Sequence, residues 1–534
     1  MNQVRYFSFF SRKRLPILSI LVISLVFLST NFLHHKWTRT KPESRGVIKY
    51  DINMYYAYLS AGIIEGDLRL DFMSEPGFKN EYRFWNTRAD NGNRLIITSM
   101  GLSFMYAPFF FMAHLLANLF GLPTDGYGSI YQFFLVFSGF FYAVWGLFIL
   151  RKILLRHFSP VITAITLVLV TLGTNLYYYS TYEAAMPHTF NFFLIAAFLL
   201  QVIRWYESPG WKRALYVGGL LGLISLIRPT NILVFFVLFL WDVKSFSELR
   251  GRIIFYLQNY YLVLLMLMAF IAVWTPQMLY WKIVTGKFLY FSYGAAGASF
   301  YFLHPQVMGS LFSFLKGWYV YTPVMLVATL VVILLWRRLK TVFLPVLLLL
   351  LTMIYVQSSW WSWYFGGGFG LRAYIDIYAV MAIPLAALLE YAMSFRIRLL
   401  KYASYIMVLF LLYLSIFQTY QYNKNMIHYC GMTKESYFMH FLTLKLAPGY
   451  WQSLNLPDHR LARKGIYYYY HTGADNSRLI EMDRQKALDT IIGEIRSDKK
   501  LARQVQRYTE LSDITFEEGL NEVAERIYYR KTDK

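Results

Sequence analysis

Apolar runs alternating with short basic clusters constrain this chain more than any single motif. The runs cover roughly residues 15–33, 129–150, 160–180, 186–203, 214–228, 230–241, 254–280, 318–335, 341–357, 374–393 and 402–420, against the roughly 20 residues a helix needs to cross a bilayer. Between them fall Arg151/Lys152/Arg156, Arg204/Lys212/Arg213, Lys244/Arg250/Arg252, Arg337/Arg338/Lys340 and Arg396/Arg398/Lys401, and Arg5, Arg12, Lys13 and Arg14 precede the first run. Cytoplasmic loops of membrane proteins carry such an excess of Lys and Arg. If every cluster is cytoplasmic, the runs pair up and the chain crosses about eleven times. The pattern predicts an all-α polytopic membrane protein.

Composition agrees: at 57% hydrophobic and 15% charged, the chain is too apolar for a soluble domain. The net charge of +22 resides in the interhelical clusters, which argues for membrane topology and against a nucleic-acid partner. No small-residue cleavage site follows the first run, so it reads as an uncleaved helix. The single cysteine, Cys430, excludes an internal disulfide framework. No spacing suggests a metal centre, and neither a cofactor nor a metal is expected.

Two stretches resist simple counting. The run 230–241 is short for a span, which suggests helices bent around Arg228-Pro229, since proline breaks the helical ladder and restricts its predecessor. Leu102 to Phe120 is apolar enough to cross, yet a crossing there would put every later basic cluster outside. It is therefore expected to lie in the interface or re-enter, with Pro108 and His114 interrupting its apolar character. The expected organisation is a cytoplasmic N-terminus (1–14), a transmembrane domain (15–420) containing a first external segment (34–128), and an external C-terminal region (421–534). That last region shows helical spacing in Ala487/Ile491/Ile492/Ile495 and Leu520/Val523/Ala524/Ile527.

Charge near a bilayer is expensive and is usually either paired or functional. Between residues 95 and 420 the acidic residues are Asp125, Glu183, Glu207, Asp242, Glu248, Asp376 and Glu390. Glu207, Asp242, Glu248 and Glu390 lie beside basic clusters, where pairing or solvation accounts for them. Asp125, Glu183 and Asp376 fall on the external side with Asp51. Asp51 opens an apolar pattern, Ile52, Tyr55, Tyr56, Leu59, Ile63 and Ile64, that reads as an amphipathic helix lying on the membrane. It would serve as an N-cap, as a catalytic carboxylate, or as both.

These features in this order resemble the GT-C glycosyltransferases. They are an early external aspartate (Tyr50-Asp51, then Tyr55-Tyr56-Ala57 and Gly66-Asp67), an interfacial apolar helix and paired spans. Members of that superfamily, among them protein O-mannosyltransferases and the aminoarabinose transferases of lipid A, take a sugar from a polyprenyl-phosphate donor. Further stretches are similar: Thr181-Tyr182-Glu183-Ala184-Ala185-Met186-Pro187-His188; Leu226-Ile227-Arg228-Pro229-Thr230-Asn231; Phe302-Leu303-His304-Pro305 before Leu315-Lys316-Gly317-Trp318; and Trp360-Trp361-Ser362-Trp363-Tyr364-Phe365 running through Gly366–Gly370 to Leu371-Arg372. The lysine-proline-proline-leucine signature of the aminoarabinose and mannosyl transferases is absent, with Ile97-Thr98-Ser99-Met100-Gly101 in its place.

The resemblance implies a GT-C-like helical bundle with an external loop of interfacial helices. It also implies a polyprenyl-phosphate sugar as donor, contact with membrane lipids, and a glycan, lipid or protein acceptor. Asp51 would be the base of an inverting displacement, expected on the external face of a bacterial cytoplasmic membrane.

Such a transfer needs donors for the leaving phosphate. Arg372 leads, because an arginine grips phosphate oxygens bidentately and this one follows a glycine-rich turn that lets a ligand approach the backbone. Lys316 and His188 follow, and Glu183 is a candidate for a sugar hydroxyl. Each has a plainer alternative: Arg372 paired with Asp376 at i,i+4, His188 satisfied at a helix start, Glu183 solvated. Trp360, Trp361 and Trp363 suit an interfacial belt or a sugar platform. Arg228 suits a buried helix-end role. The glycine run lacks the lysine and strand–helix setting of a nucleotide loop. Competing functions are a polymerase or ligase of lipid-linked glycans, a transporter or flippase, and a non-catalytic assembly protein.

Overall fold

The computed structural model describes residues 12–40, 46–78, 83–334, 340–471 and 476–532. Most of the expected cytoplasmic N-terminus, including Arg5, and the basic residues Arg337 and Arg338 lie outside the described residues. The helices, in chain order, are α1 (Leu15–His34), α2 (Tyr50–Leu59), α3 (Gly101–Leu119), α4 (Ser129–Leu154), α5 (Pro160–Leu172), α6 (Leu176–Thr181), α7 (Pro187–Glu207), α8 (Trp211–Ile227), α9 (Phe235–Leu240), α10 (Phe246–Gln258), α11 (Tyr260–Thr285), α12 (Val307–Phe312), α13 (Trp318–Tyr321), α14 (Pro323–Leu334), α15 (Lys340–Ser359), α16 (Tyr378–Met393) and α17 (Arg398–Asn423). The C-terminal region adds α18 (Lys434–Met439), α19 (His459–Arg463), α20 (Ser477–Glu481), α21 (Arg484–Ser497), α22 (Lys499–Ser512) and α23 (Phe516–Thr532), with one antiparallel pair, β1 (Asn455–Pro457) and β2 (Tyr469–His471).

Two compact units divide the chain. The first comprises Met1–Ala296, Thr322–Ile354 and Arg372–Ile416, and the second Gly297–Tyr321, Tyr355–Leu371 and Phe417–Lys534. The second unit thus joins the C-terminal region to two stretches from within 15–420.

Among the described residues, eight helices are long and apolar enough to span a membrane. They include seven of the eleven expected runs plus Gly101–Leu119. Of the other four runs, three fall short because local chemistry breaks them, and the fourth, 318–335, runs into residues outside those described. Gly173 ends α5, Pro229 ends α8 by holding Arg228 extended (φ −143°, ψ 107°), and the 3-10 turn Pro229–Val234 shortens the piece that follows. The expected run 318–335 is split into α13 and α14 before Pro323. Helices α11 and α17 leave most of their leucine, isoleucine and methionine side chains uncovered, for example Leu264, Leu267, Met268 and Ile271, and Ile406, Met407 and Leu409. Such faces suit hydrocarbon as solvent. The chain is an all-α polytopic membrane protein.

The first unit has two chemically distinct ends. At one, Arg156 pairs with Glu207, Tyr206 Oη lies 2.7 Å from Tyr256 Oη, Arg252 donates to the Trp241 carbonyl (2.5 Å), and Asp242 N–H bonds Thr341 O (2.8 Å). These contacts gather the ends of α4, α7 and α9, helix α10 and the start of α15, and with them the described basic clusters from Arg151 to Arg252. Glu207, Asp242 and Glu248 are paired there, as expected beside basic clusters: Asp242 with Lys244 (2.6 Å), and Glu248 with the Lys244 N–H (2.6 Å). The start of α7 marks the other end, about 30 Å away for 21 residues at 1.5 Å each.

Both ends of helix α3 contact that other end, and Phe109 between them packs on Phe137, Phe141 and Tyr142 of α4. The helix begins against the last residues of α8, where a Cβ on Gly101 would stand 2.6 Å from the Ile227 nitrogen, so only glycine allows the approach. Midway, Tyr106 donates to the Ala185 carbonyl just before α7, and at its far end His114 Nδ1 lies 2.6 Å from Tyr131 Oη in the first turn of α4. α3 is one continuous helix, with Pro108 inside it.

Helix α2 differs from the amphipathic surface helix expected. Ile52, Tyr55, Tyr56, Ala57, Tyr58 and Leu59 are all buried, and only Tyr50 is freely exposed. Its other faces are covered by protein: Ser103 of α3 donates to Tyr55 O, Tyr56 Oη to Gly126 O (2.5 Å), and Tyr58 Oη to Thr98 O (2.7 Å). The following segment packs Leu70, Phe72, Phe84, Leu95 and Ile96 against Tyr280, Trp281 and Val284 of α11.

Candidate active site

The start of α7, the end of α8, the start of α2 and the turn before α16 bring together His188, Arg228, Asp51, Arg372 and Asp376. Asp51 is the second residue of α2. Lys49 holds the N-cap position and its side chain makes no capping bond, so the capping role considered for Asp51 is not realised. Its carboxylate still sits in the first turn, where the helix dipole favours a negative charge. Arg372 Nη2 donates to Asp51 Oδ2 at 2.5 Å across 321 residues of sequence.

Asp376 does not pair with Arg372. Residues Arg372–Ile377 form a 3-10 turn, and at three residues per turn positions i and i+4 no longer share a face. Asp376 instead accepts from His188 Nδ1 (2.9 Å), Asn231 Nδ2 (2.8 Å), Arg228 Nη1 (3.2 Å) and Asn191 Nδ2 (3.3 Å). His188 and Asn191 lie three residues apart on one face of α7, and Pro229 places Arg228 at the end of α8. Tyr179 meets the His188 ring edge-on at 5.2 Å.

The two carboxylates differ in access. The Asp376 side chain is 0% exposed and surrounded by donors, whereas Asp51 retains 35% exposure beside an arginine at 15%. Of the two, only Asp51 is open to solvent. Tyr55 and Tyr293, hydrogen-bonded to each other, stand within electrostatic reach of Asp51 and Arg228. Burial raises both phenols above their ordinary range, which keeps them neutral donors and acceptors.

The remaining candidates lie elsewhere. Glu183 pairs with Lys36 at 2.9 Å, and Lys36 also donates to Tyr182 O at 2.6 Å. This pair lines a small cavity that has Ile52 and Val47 on its wall. Lys316 belongs to the second unit, where it is buried and its Nζ donates to Gly368 O. In that unit Trp363 packs with Leu315, Tyr364 and Cys430, so it is a core residue and not part of a lipid-facing belt.

Sequence reasoning thus named Asp51, His188 and Arg372 of the cluster and assigned Arg228 its buried helix-end place. It missed Asp376 as a hub, along with Asn191, Asn231, Tyr55, Tyr293 and Lys36. The available signal was a set of amides inside apolar runs, since a buried amide needs a partner. No protein-family model matches the chain, and no curated protein matches it.

Proposed function

We propose that this protein is an integral-membrane glycosyltransferase of the GT-C kind. It moves a sugar from a polyprenyl-phosphate donor to an acceptor hydroxyl, at the end of the bundle opposite the basic clusters. The observation that carries this reading is the accessible Asp51 bonded to Arg372 at 2.5 Å, which sets a base and a phosphate ligand side by side. Asp51 takes the acceptor's proton as its oxygen attacks the anomeric carbon. The anomeric C–O bond breaks, and polyprenyl phosphate departs with the bonding electrons. Attack opposite the leaving group inverts the anomeric centre.

Pairing with a guanidinium makes a carboxylate a weaker base. A donor phosphate that draws Arg372 toward itself therefore strengthens Asp51 as a base when the acceptor arrives. The geometry of α3 supports the sidedness: an α3 whose two ends both contact one end of the bundle leaves residues 34–128 on one face and the basic clusters on the cytoplasmic face. The site then opens to the outside of a bacterial cytoplasmic membrane.

The test is radiolabelled sugar transfer from a panel of polyprenyl-phosphate sugars in membranes overproducing the protein. Wild type is expected to move label into an acceptor and Arg372→Gln to lose that transfer by about 10²-fold or more. Membranes rich in wild-type protein that transfer no more label than membranes lacking it would sink the reading.

A further inference from the structure

In the second unit, the end of α18 and the loop after it leave large apolar side chains uncovered. Phe438, Phe441, Leu442, Leu444, Leu446 and Trp451 are each between 37% and 65% exposed, and the Phe438 and Phe441 rings lie 6.2 Å apart. Apolar surface gathered in this way marks an interaction site. The same segment turns its polar groups inward. Buried Gln421 donates from Nε2 to the carbonyls of His440 (2.6 Å) and Thr443 (2.9 Å). His440, also buried, has Nδ1 3.0 Å from Ser436 O, and its Nε2 accepts from the Ala447 N–H at 3.0 Å. Backbone groups satisfied by side chains of the protein do not need water, which is the condition for entering lipid.

Gln421 is part of α17, whose last residues, 417–423, belong to this unit. Helix α17 is one of the eight candidate spans and has 26 residues. At 1.5 Å each they cover about 39 Å, against a hydrocarbon core of about 30 Å. The end of the helix therefore reaches the lipid headgroups. Tyr420 is 43% exposed there, with Lys424 Nζ 5.9 Å from its ring centre, a pairing of residue types that suits the membrane interface. Gln421 ties the apolar segment to this same end.

From this we infer that segment 438–451 docks on the bilayer itself, with its apolar side chains sunk below the lipid phosphates, a role independent of the Asp51 chemistry. The occupant is lipid and not a protein partner, because the segment continues the lipid-facing surface of α17 from the depth at which that helix ends. Lys445, between Leu444 and Leu446, keeps its ammonium at the phosphates by extending its apolar stem along the surface. Residues 424–451 hold Lys424, Lys434 and Lys445 against one acidic residue, Glu435, a balance that favours anionic headgroups.

Spin labelling of the full-length protein in nanodiscs of phosphatidylcholine and phosphatidylglycerol tests this. Labels go on Leu444→Cys and Leu446→Cys, both at exposed positions, and on Lys486→Cys of α21 as an exposed control, with Cys430 buried. Collisions with oxygen, which concentrates in lipid, and with a water-soluble nickel chelate report depth. The two loop labels are expected about 5–10 Å below the phosphates, while the control meets nickel freely. A label at that depth in either position upholds the inference. It is overturned if neither lies there: nickel contact equal to the control's would make the loop solvated, and shielding from both reagents would make a protein surface, such as a second copy, the occupant.

Discussion

Asp376 and Asp51 are carboxylates in one cluster with opposite physical roles. Asp376 joins α7, the α8–Pro229 break and the turn before α16 through four donors. Removing it strands an arginine and two amides away from water. Asp376→Ala should cost about 3–5 kcal/mol of stability, whereas Asp51→Asn, at a partly exposed pair, should cost less than about 1 kcal/mol. Thermal unfolding in one detergent compares them, and equal losses would contradict the assignment of roles. In the second unit, His428 Nδ1 accepts from the Cys430 N–H at 3.2 Å, and burial, then Lys316, lowers its pKa from 6.5 to about 4. A histidine held neutral stabilises the fold fully above its unfolded pKa and loses that contribution as pH falls from about 6.5 toward 4. Acidification through that window should lower the unfolding temperature of wild type more than that of His428→Gln. At this scale the sequence offered Asp51, His188 and Arg372 as candidates but not which groups meet. Residues 321 positions apart carry no mutual signal, and the turn that separated Arg372 from Asp376 depends on a helix type that spacing does not reveal.

The placement of helix α3 decides the sidedness of the molecule. Hydropathy alone makes it a span, and only the rule that basic loops share one side argued otherwise. Its two ends contact α8, through Gly101, and α4, through His114, and labelling from one side of the membrane decides between crossing and lying flat. Asn86 and Asn118 flank the helix body and are exposed. Single cysteines there should both react with a membrane-impermeant maleimide added to intact cells, with the buried Cys430 contributing little background. Reaction at one position alone would mean that α3 crosses. The C-terminal helices were the most legible elements. Ile491 and Ile495 of α21 and Leu520, Val523, Ala524 and Ile527 of α23 form a shared core, because a packed helix writes its 3.6-residue period directly into the sequence. Helix α2 was misread as a surface helix for a related reason: a helix buried on nearly every side leaves a weak period, and its tyrosines hydrogen-bond inward.

For the whole molecule, the sequence conveyed the class through apolar runs and basic clusters, while continuity was hidden. Breaks at Gly173, Arg228-Pro229 and Pro323 divide runs that hydropathy averages over, so seven of the eleven expected spans are long enough as single helices. The division into two units was also illegible, because the second gathers Gly297–Tyr321 and Tyr355–Leu371 from between helices of the first. What makes this assembly an enzyme, in the reading proposed, is one accessible carboxylate at the end away from the basic clusters. The most direct test reconstitutes purified protein in vesicles with its radiolabelled polyprenyl-phosphate sugar and follows transfer by wild type and Asp51→Asn under conditions where both bind donor. The account predicts a fall of about 10²–10⁴-fold for the variant; transfer at the wild-type rate by folded Asp51→Asn would contradict it.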